Sequence, residues 1–145
     1  MSRQGQKRCK FVEFLCGLQE LSTCSRYQHA AIVVDDALTR VHSIGFNGVP
    51  SGIAHVACSG DADPCICVHA EANALIKLDG GSDLTMLITT TPCAKCAGMI
   101  INSGRIRAVV YGKAHSASGT IGTAIHMLLG VGISVVRQHD WTHVS

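Results

Sequence analysis

The chain has 145 residues, 47% of them hydrophobic, and a formal net charge of +2. That length and apolar content suit one domain with one well-covered core. So small an excess of positive charge disfavours a protein whose main task is to track a nucleic-acid backbone along a basic stripe, whereas a small anionic ligand needs only a few local cations.

Residues 1–10 are polar, with Arg3, Lys7, Arg8 and Lys10, and predict a flexible tail in front of a single domain spanning 11–145. A helix follows from Phe11 to Leu21, with Phe11, Phe14, Leu15 and Leu18 as its buried face. Its apolar run is short, is interrupted by Glu13 and leads to no small-residue cleavage site, so a secretory signal is not expected. Cytoplasmic location with reduced thiols is the expectation. His29 to Asp35 and Val41 to Phe46 predict a strand hairpin, turned around Asp36 and Thr39. Residues 47–64 mix glycine, proline and small polar residues and predict a long loop of the kind that tends to carry function.

Helical periodicity resumes from Val68 to Leu78 and stops at Gly80 and Gly81. The rest alternates, with strand Leu84 to Thr90, helix Cys93 to Ser103, strand Ile106 to Tyr111, helix Thr120 to Leu129 and strand Ile133 to Arg137. Such alternation implies an α/β fold, a sheet with helices on both faces. Ala114 to Val136 contains no Asp, Glu, Lys or Arg, but glycines and two histidines interrupt it, so it reads as a buried helix and strand and no membrane partner is expected.

Eight cysteines and eight histidines favour metal over disulfides, and their spacing carries the chemistry. His69-Ala70-Glu71 opens one predicted helix, and Pro92-Cys93-Ala94-Lys95-Cys96 opens the next. Two cysteines one turn apart at a helix start can face a single ion, and the positive helix end favours their thiolates. With His69 they make three ligands and leave a fourth position for water, the pattern of a catalytic rather than a closed zinc site. Glu71 is placed to take a proton from that water and return it to the substrate. Pro-Cys-x-x-Cys alone would equally suit a redox pair or half a zinc ribbon; His-x-Glu and Pro-Cys-x-x-Cys together, in this order, form the zinc nucleobase deaminase signature.

The motifs Gly45-Phe46-Asn47-Gly48-Val49-Pro50-Ser51-Gly52, Cys67-Val68-His69-Ala70-Glu71-Ala72-Asn73-Ala74-Leu75 and Thr91-Pro92-Cys93-Ala94-Lys95-Cys96 resemble the deoxycytidylate deaminases, including short phage types, within the cytidine deaminase-like superfamily. The resemblance implies a three-layer α/β/α fold with a central mixed five-stranded sheet. It also implies zinc-dependent hydrolytic deamination of a deoxycytidine nucleotide, dCMP to dUMP with dCTP as a candidate further substrate, with release of ammonia in pyrimidine nucleotide metabolism. By the same resemblance Asn47 should bond the sugar or base and the backbone at Ala70 should face the pyrimidine. Asn47 is also a reasonable turn residue before Gly48, and the two readings are compatible.

Arg26, Ser51 and Lys113 are candidates for phosphate contacts, each of them equally a solvated surface residue. Cys24, Cys58, Cys65 and Cys67 could form a second, closed zinc site, as some deoxycytidylate deaminases have, or could be buried or free thiols. The family resemblance and the charge-free segment together imply a homo-oligomer, and dCTP and dTTP are candidate effectors. The rival readings are deamination of cytidine, a tRNA adenosine or a riboflavin precursor, and a zinc-stabilised binding module without catalysis.

Overall fold

The computed structural model describes residues 2–24, 27–54, 66–113 and 121–138. Helix α1 (Arg3–Leu18) runs into a short 3-10 turn (Gln19–Leu21), followed by strands β1 (Ala30–Val34) and β2 (Val41–Phe46). Helix α2 (Ala70–Ile76), β3 (Leu84–Thr90), α3 (Ala94–Ser103), β4 (Ile106–Lys113), α4 (Ile121–Gly130) and β5 (Ser134–Arg137) complete the order. The strands form one sheet in the order β2-β1-β3-β4-β5. β1 is antiparallel to both β2 and β3, and β3, β4 and β5 are parallel. The sheet is therefore mixed and five-stranded.

Side-chain alternation divides the core between the two faces. Ala31, Val33, Met86, Ile88 and Val109 turn toward α2, α3 and α4, where Ala70, Ala74, Ala97, Ile100, Ala124 and Leu128 cover them. Ala30, Ile32, Val34, Leu87 and Val110 turn the other way and meet Leu15 of α1, with Phe11 and Leu18 at the margin. β1 is buried along its whole length because it lies between β2 and β3 and is covered on both faces.

The first helix departs from the expected tail over residues 1–10. α1 already begins at Arg3, capped by the Ser2 hydroxyl, which accepts from the Gly5 N–H at 3.0 Å. The Gln4 amide and the Lys7 ammonium then donate to the carbonyls of Asp36 and Ala37 at 3.0 and 3.1 Å, tying these polar turns to the β1–β2 hairpin. Within α1, Val12 and Leu15 are the buried pair, whereas Phe14, expected inside, is 42% exposed. The hairpin turn is organised by Asp35, whose carboxylate accepts from the Thr39 and Arg40 N–H groups at 2.7 and 2.8 Å and from the Thr39 hydroxyl at 2.5 Å. No helix among the described residues is long and apolar enough to cross a membrane.

Candidate metal centre

Two helix starts supply the ligands. His69 and Cys93 are the residues immediately before the first turns of α2 and α3, both still in extended conformation, and Cys96 lies one turn into α3. The His69 Nδ1 atom stands 3.3 Å from the Cys96 sulfur and 3.7 Å from the Cys93 sulfur. All three ligand atoms fall within 4.8 Å of one another. Tetrahedral zinc with N and S bonds of about 2.0 and 2.3 Å would separate nitrogen from sulfur by about 3.6 Å, so the trio has the donor set and spacing of a zinc site.

The sulfurs share their charge unevenly. Hydrogen bonds from Cys96 and then from His69 pull the Cys93 thiol down to about 3, which makes it a thiolate. The same hydrogen bond from the Cys93 side, followed by burial, pushes the Cys96 thiol far up, and Cys93 raises His69. The two thiols are thus coupled at the positive end of α3, where a divalent cation would favour both as thiolates.

Glu71 sits in the first turn of α2, buried, with only 4% of its surface exposed. Burial pushes its carboxyl upward, opposed in part by a hydrogen bond from its own backbone N–H, then by the charge on His69 and a hydrogen bond with Cys96. A carboxyl in this setting is suited to hold a proton and release it again.

The end of β2 packs against the start of α2. Gly45 is required there by close approach, because a Cβ on it would fall 2.3 Å from the Ala70 carbonyl and 2.5 Å from the Ala74 nitrogen. Asn73 of α2 donates to the Phe46 carbonyl at 2.9 Å, and Gly48 and Val68 exchange backbone hydrogen bonds of 3.1 and 2.8 Å. The β2 end and the start of α2 are therefore fastened together, with His69 one residue beyond the bridge.

Asn47 is buried beside this junction. Its Oδ1 accepts from the His29 N–H at 2.8 Å and its Nδ2 donates to the Tyr27 carbonyl at 2.7 Å. The amide thus braces the segment before β1 and retains one lone pair and one N–H for a further partner. Ala70 is buried in the first turn of α2 and Ser51 is exposed in a turn. Cys24 is buried and Cys67 partly so; Arg26, Cys58 and Cys65 lie outside the described residues, as does the side chain of Lys113, the last residue of β4.

Sequence reading overlooked Tyr27, His29 and Asn73, whose connections to the Asn47 loop join residues 18 to 27 positions apart. The only signal available was the cluster of polar residues just before the first strand.

Residues 6–113 match the family model described as the cytidine and deoxycytidylate deaminase zinc-binding region. The deoxycytidylate deaminase of Mycobacterium phage D29 is 36% identical, over 71% of this chain and 91% of its own. That of Saccharomyces cerevisiae is 29% identical, over 83% of this chain but only 41% of its own. The dCMP deaminase of cyanophage S-TIM5, solved in complex with dCMP and dUMP, superposes with a TM-score of 0.76 at 24% identity, covering 95% of this chain and 99% of that one. At that identity the likeness speaks for the shared fold.

Proposed function

Because the chain belongs to the cytidine and deoxycytidylate deaminase family and is a hydrolase of the deoxycytidylate deaminase type, we propose that it converts dCMP and water to dUMP and ammonia with the residues assembled around His69. The observation that carries this reading is the convergence of one histidine nitrogen and two cysteine sulfurs within 4.8 Å, with the buried Glu71 two residues from His69. His69, Cys93 and Cys96 would hold zinc, which when bound supplies a Lewis acid that makes water nucleophilic at neutral pH. Glu71 takes one proton from the attacking water and delivers it to ring nitrogen N3, then carries the second, from the hydroxyl now on C4, to the amino group, which leaves as ammonia while the C4 carbonyl forms. The first turn of α2 at Ala70 bounds the base, and the spare lone pair and N–H of Asn47 suit a sugar hydroxyl. Arg26, Ser51 and Lys113 remain the candidates for the phosphate.

The deciding experiment is Glu71→Gln. The variant should keep its zinc, by elemental analysis, and lose ammonia release from dCMP by on the order of 10³-fold; undiminished turnover would remove Glu71 from the mechanism, and absence of turnover in the unaltered protein would remove dCMP.

A second zinc on Cys24, Cys58, Cys65 and Cys67 belongs to the same proposal. Its support is that Thr23, next to Cys24, accepts from the Val49 N–H at 3.0 Å, while Val68, next to Cys67, pairs with Gly48. The flanks of Cys24 and Cys67 thus converge on one stretch of backbone. Two zinc ions per chain are expected, and a ratio of one would refute this site alone. The proposal includes a homo-oligomer, supported by Ile76, Met99 and Leu129, which are 76%, 42% and 53% exposed on α2, α3 and α4. Light scattering tests it. dCTP as a further substrate, and dCTP or dTTP as effectors, are tested by adding each to the dCMP assay. Cytoplasmic location fits the need of cysteine ligands for a reducing compartment.

A further inference from the structure

We infer that Ser22 is a positioning residue: its hydroxyl holds the Asn47 carbonyl out of the β1–β2 ladder, which turns the Asn47 side-chain amide into the ladder and fixes how that amide meets the sugar. The sugar contact rests on the substrate reading above; the positioning does not. β1 and β2 pair Ala30 with Phe46 and Ala31 with Gly45, so one step further His29 stands opposite Asn47. In an antiparallel ladder a hydrogen-bonded pair exchanges two backbone bonds. The first is present, from the Asn47 N–H to the His29 carbonyl at 3.2 Å. The second is rerouted: the His29 N–H donates to Asn47 Oδ1 at 2.8 Å, and the Asn47 carbonyl accepts from the Ser22 hydroxyl at 2.7 Å. The side-chain amide thus stands in for the main-chain carbonyl, a substitution open to asparagine because its amide copies a peptide group.

Ser22 is oriented for this bond. It follows the 3-10 turn after α1, and its N–H donates to the Gln19 carbonyl at 3.1 Å, so the end of that turn sets its place. Its oxygen accepts from the Cys24 N–H at 3.2 Å. A hydroxyl has a single proton to give, and the Asn47 carbonyl at 2.7 Å is nearer than the Tyr27 carbonyl at 3.3 Å. The rest of the loop is fastened independently, because Thr23 Oγ1 accepts from the Val49 N–H at 3.0 Å and Gly48 exchanges backbone bonds with Val68. Removing the Ser22 hydroxyl therefore leaves the loop attached and changes one choice, which Asn47 oxygen takes the His29 N–H.

Asn47 is only 5% exposed, so its carbonyl, deprived of that donor, has little water to turn to. Its nearest relief is the His29 N–H, and in taking it the carbonyl displaces Oδ1. The amide then keeps only the bond from Nδ2 to the Tyr27 carbonyl and is free to rotate. The links from this loop to α2 pass through Phe46 and Val68, so His69 and Glu71 keep their places.

The test is Ser22→Ala beside Ser22→Thr, which keeps the hydroxyl, each checked for zinc content and for an unchanged circular dichroism spectrum. Asn47, Asn73 and Asn102 are the three asparagines of the chain, so protein labelled with nitrogen-15 at asparagine gives few side-chain amide signals, and Asn47→Ala identifies the one in question. Ser22→Ala should shift the Asn47 amide signals and speed their exchange with solvent, and Ser22→Thr should leave them near their original positions. On dCMP, Ser22→Ala should raise KM about fivefold with kcat within twofold, and should raise it no further in a protein already carrying Asn47→Ala. If Ser22→Ala does not fold, Ser22→Cys, similar in size and only a weak donor, is read in its place. Unchanged Asn47 signals, a Ser22→Thr variant that behaves like Ser22→Ala, or the same rise in KM with and without Asn47 would each overturn the inference while leaving dCMP deamination standing. Absence of dCMP turnover in the unaltered protein would remove the substrate reading, and the amide signals would still decide the positioning.

Discussion

The metal side and the loop side of the candidate site are built in opposite ways. On the metal side, His69, Cys93 and Cys96 are each placed by the start of a helix, so their geometry follows from a few consecutive residues and two backbone entries. On the loop side, Asn47, Gly48 and Val49 are placed by Ser22, Thr23, Tyr27, His29 and Val68, and almost none of that order is local. The contrast teaches that the metal-ligand cluster is encoded in short motifs, whereas the loop beside it is encoded in tertiary contacts. One side should fail by losing its ion and the other by losing its shape.

The sharpest way to break the metal side is Cys93→Ala. It removes the thiolate of lowest pKa and should abolish both turnover and catalytic-site zinc while the sheet persists, as elemental analysis and circular dichroism would show. Gly45→Ala attacks the junction between the two sides. A methyl 2.3 Å from the Ala70 carbonyl forces α2 away from β2, and overpacking of this kind costs about 1–3 kcal/mol or more, read as a lower urea midpoint. Because His69 precedes α2, zinc affinity should fall with it. Asn47→Ala addresses the loop side alone. Loss of the bonds to His29 and Tyr27 should cost about 1–3 kcal/mol of stability and lower kcat/KM on dCMP, with zinc content unchanged.

The smallest effect lies far from both. Hydrogen bonds from Thr39 first, and then from the Thr39 and Arg40 backbone, hold Asp35 down to about 2. A carboxylate with a depressed folded-state pKa stabilises the fold above its ordinary value of 3.8 and loses that contribution as pH falls through about 2. Asp35→Asn should therefore flatten the acid end of the stability curve, between about pH 4 and 2, and leave activity at neutral pH unchanged; an identical acid limb would show that the turn contributes nothing.

The same contrast explains what could be read from the sequence. Strands β1 and β4 announce themselves by runs of Val, Ile and Ala, and β3 by Leu, Met and Ile, that only a sheet covered on both faces can bury, and β3 is predicted to the residue. The cluster of His69, Cys93 and Cys96 was legible because ligand spacing and helix starts coincide. The first two turns of α1 were not, because Arg3, Gln4, Gln6, Lys7, Arg8 and Lys10 show no apolar period; their helix is held by a serine cap and by contacts with a turn more than 25 residues away. His29 escaped notice for a similar reason. In the sequence it is one polar residue before an apolar strand, and only the register of β1 with β2 sets it opposite Asn47.

The Gly48–Val68 bridge also bears on how such a protein can change in length. By pairing Gly48 with Val68, it ties the Asn47 segment to the residue before His69 whatever the length of chain between the two. Closing a flexible loop of twice the length costs only about 0.6 kcal/mol more. Residues could therefore be inserted between Ser51 and Cys58 without shifting His69, and new binding or regulatory surface could accumulate there while the reaction centre keeps its geometry.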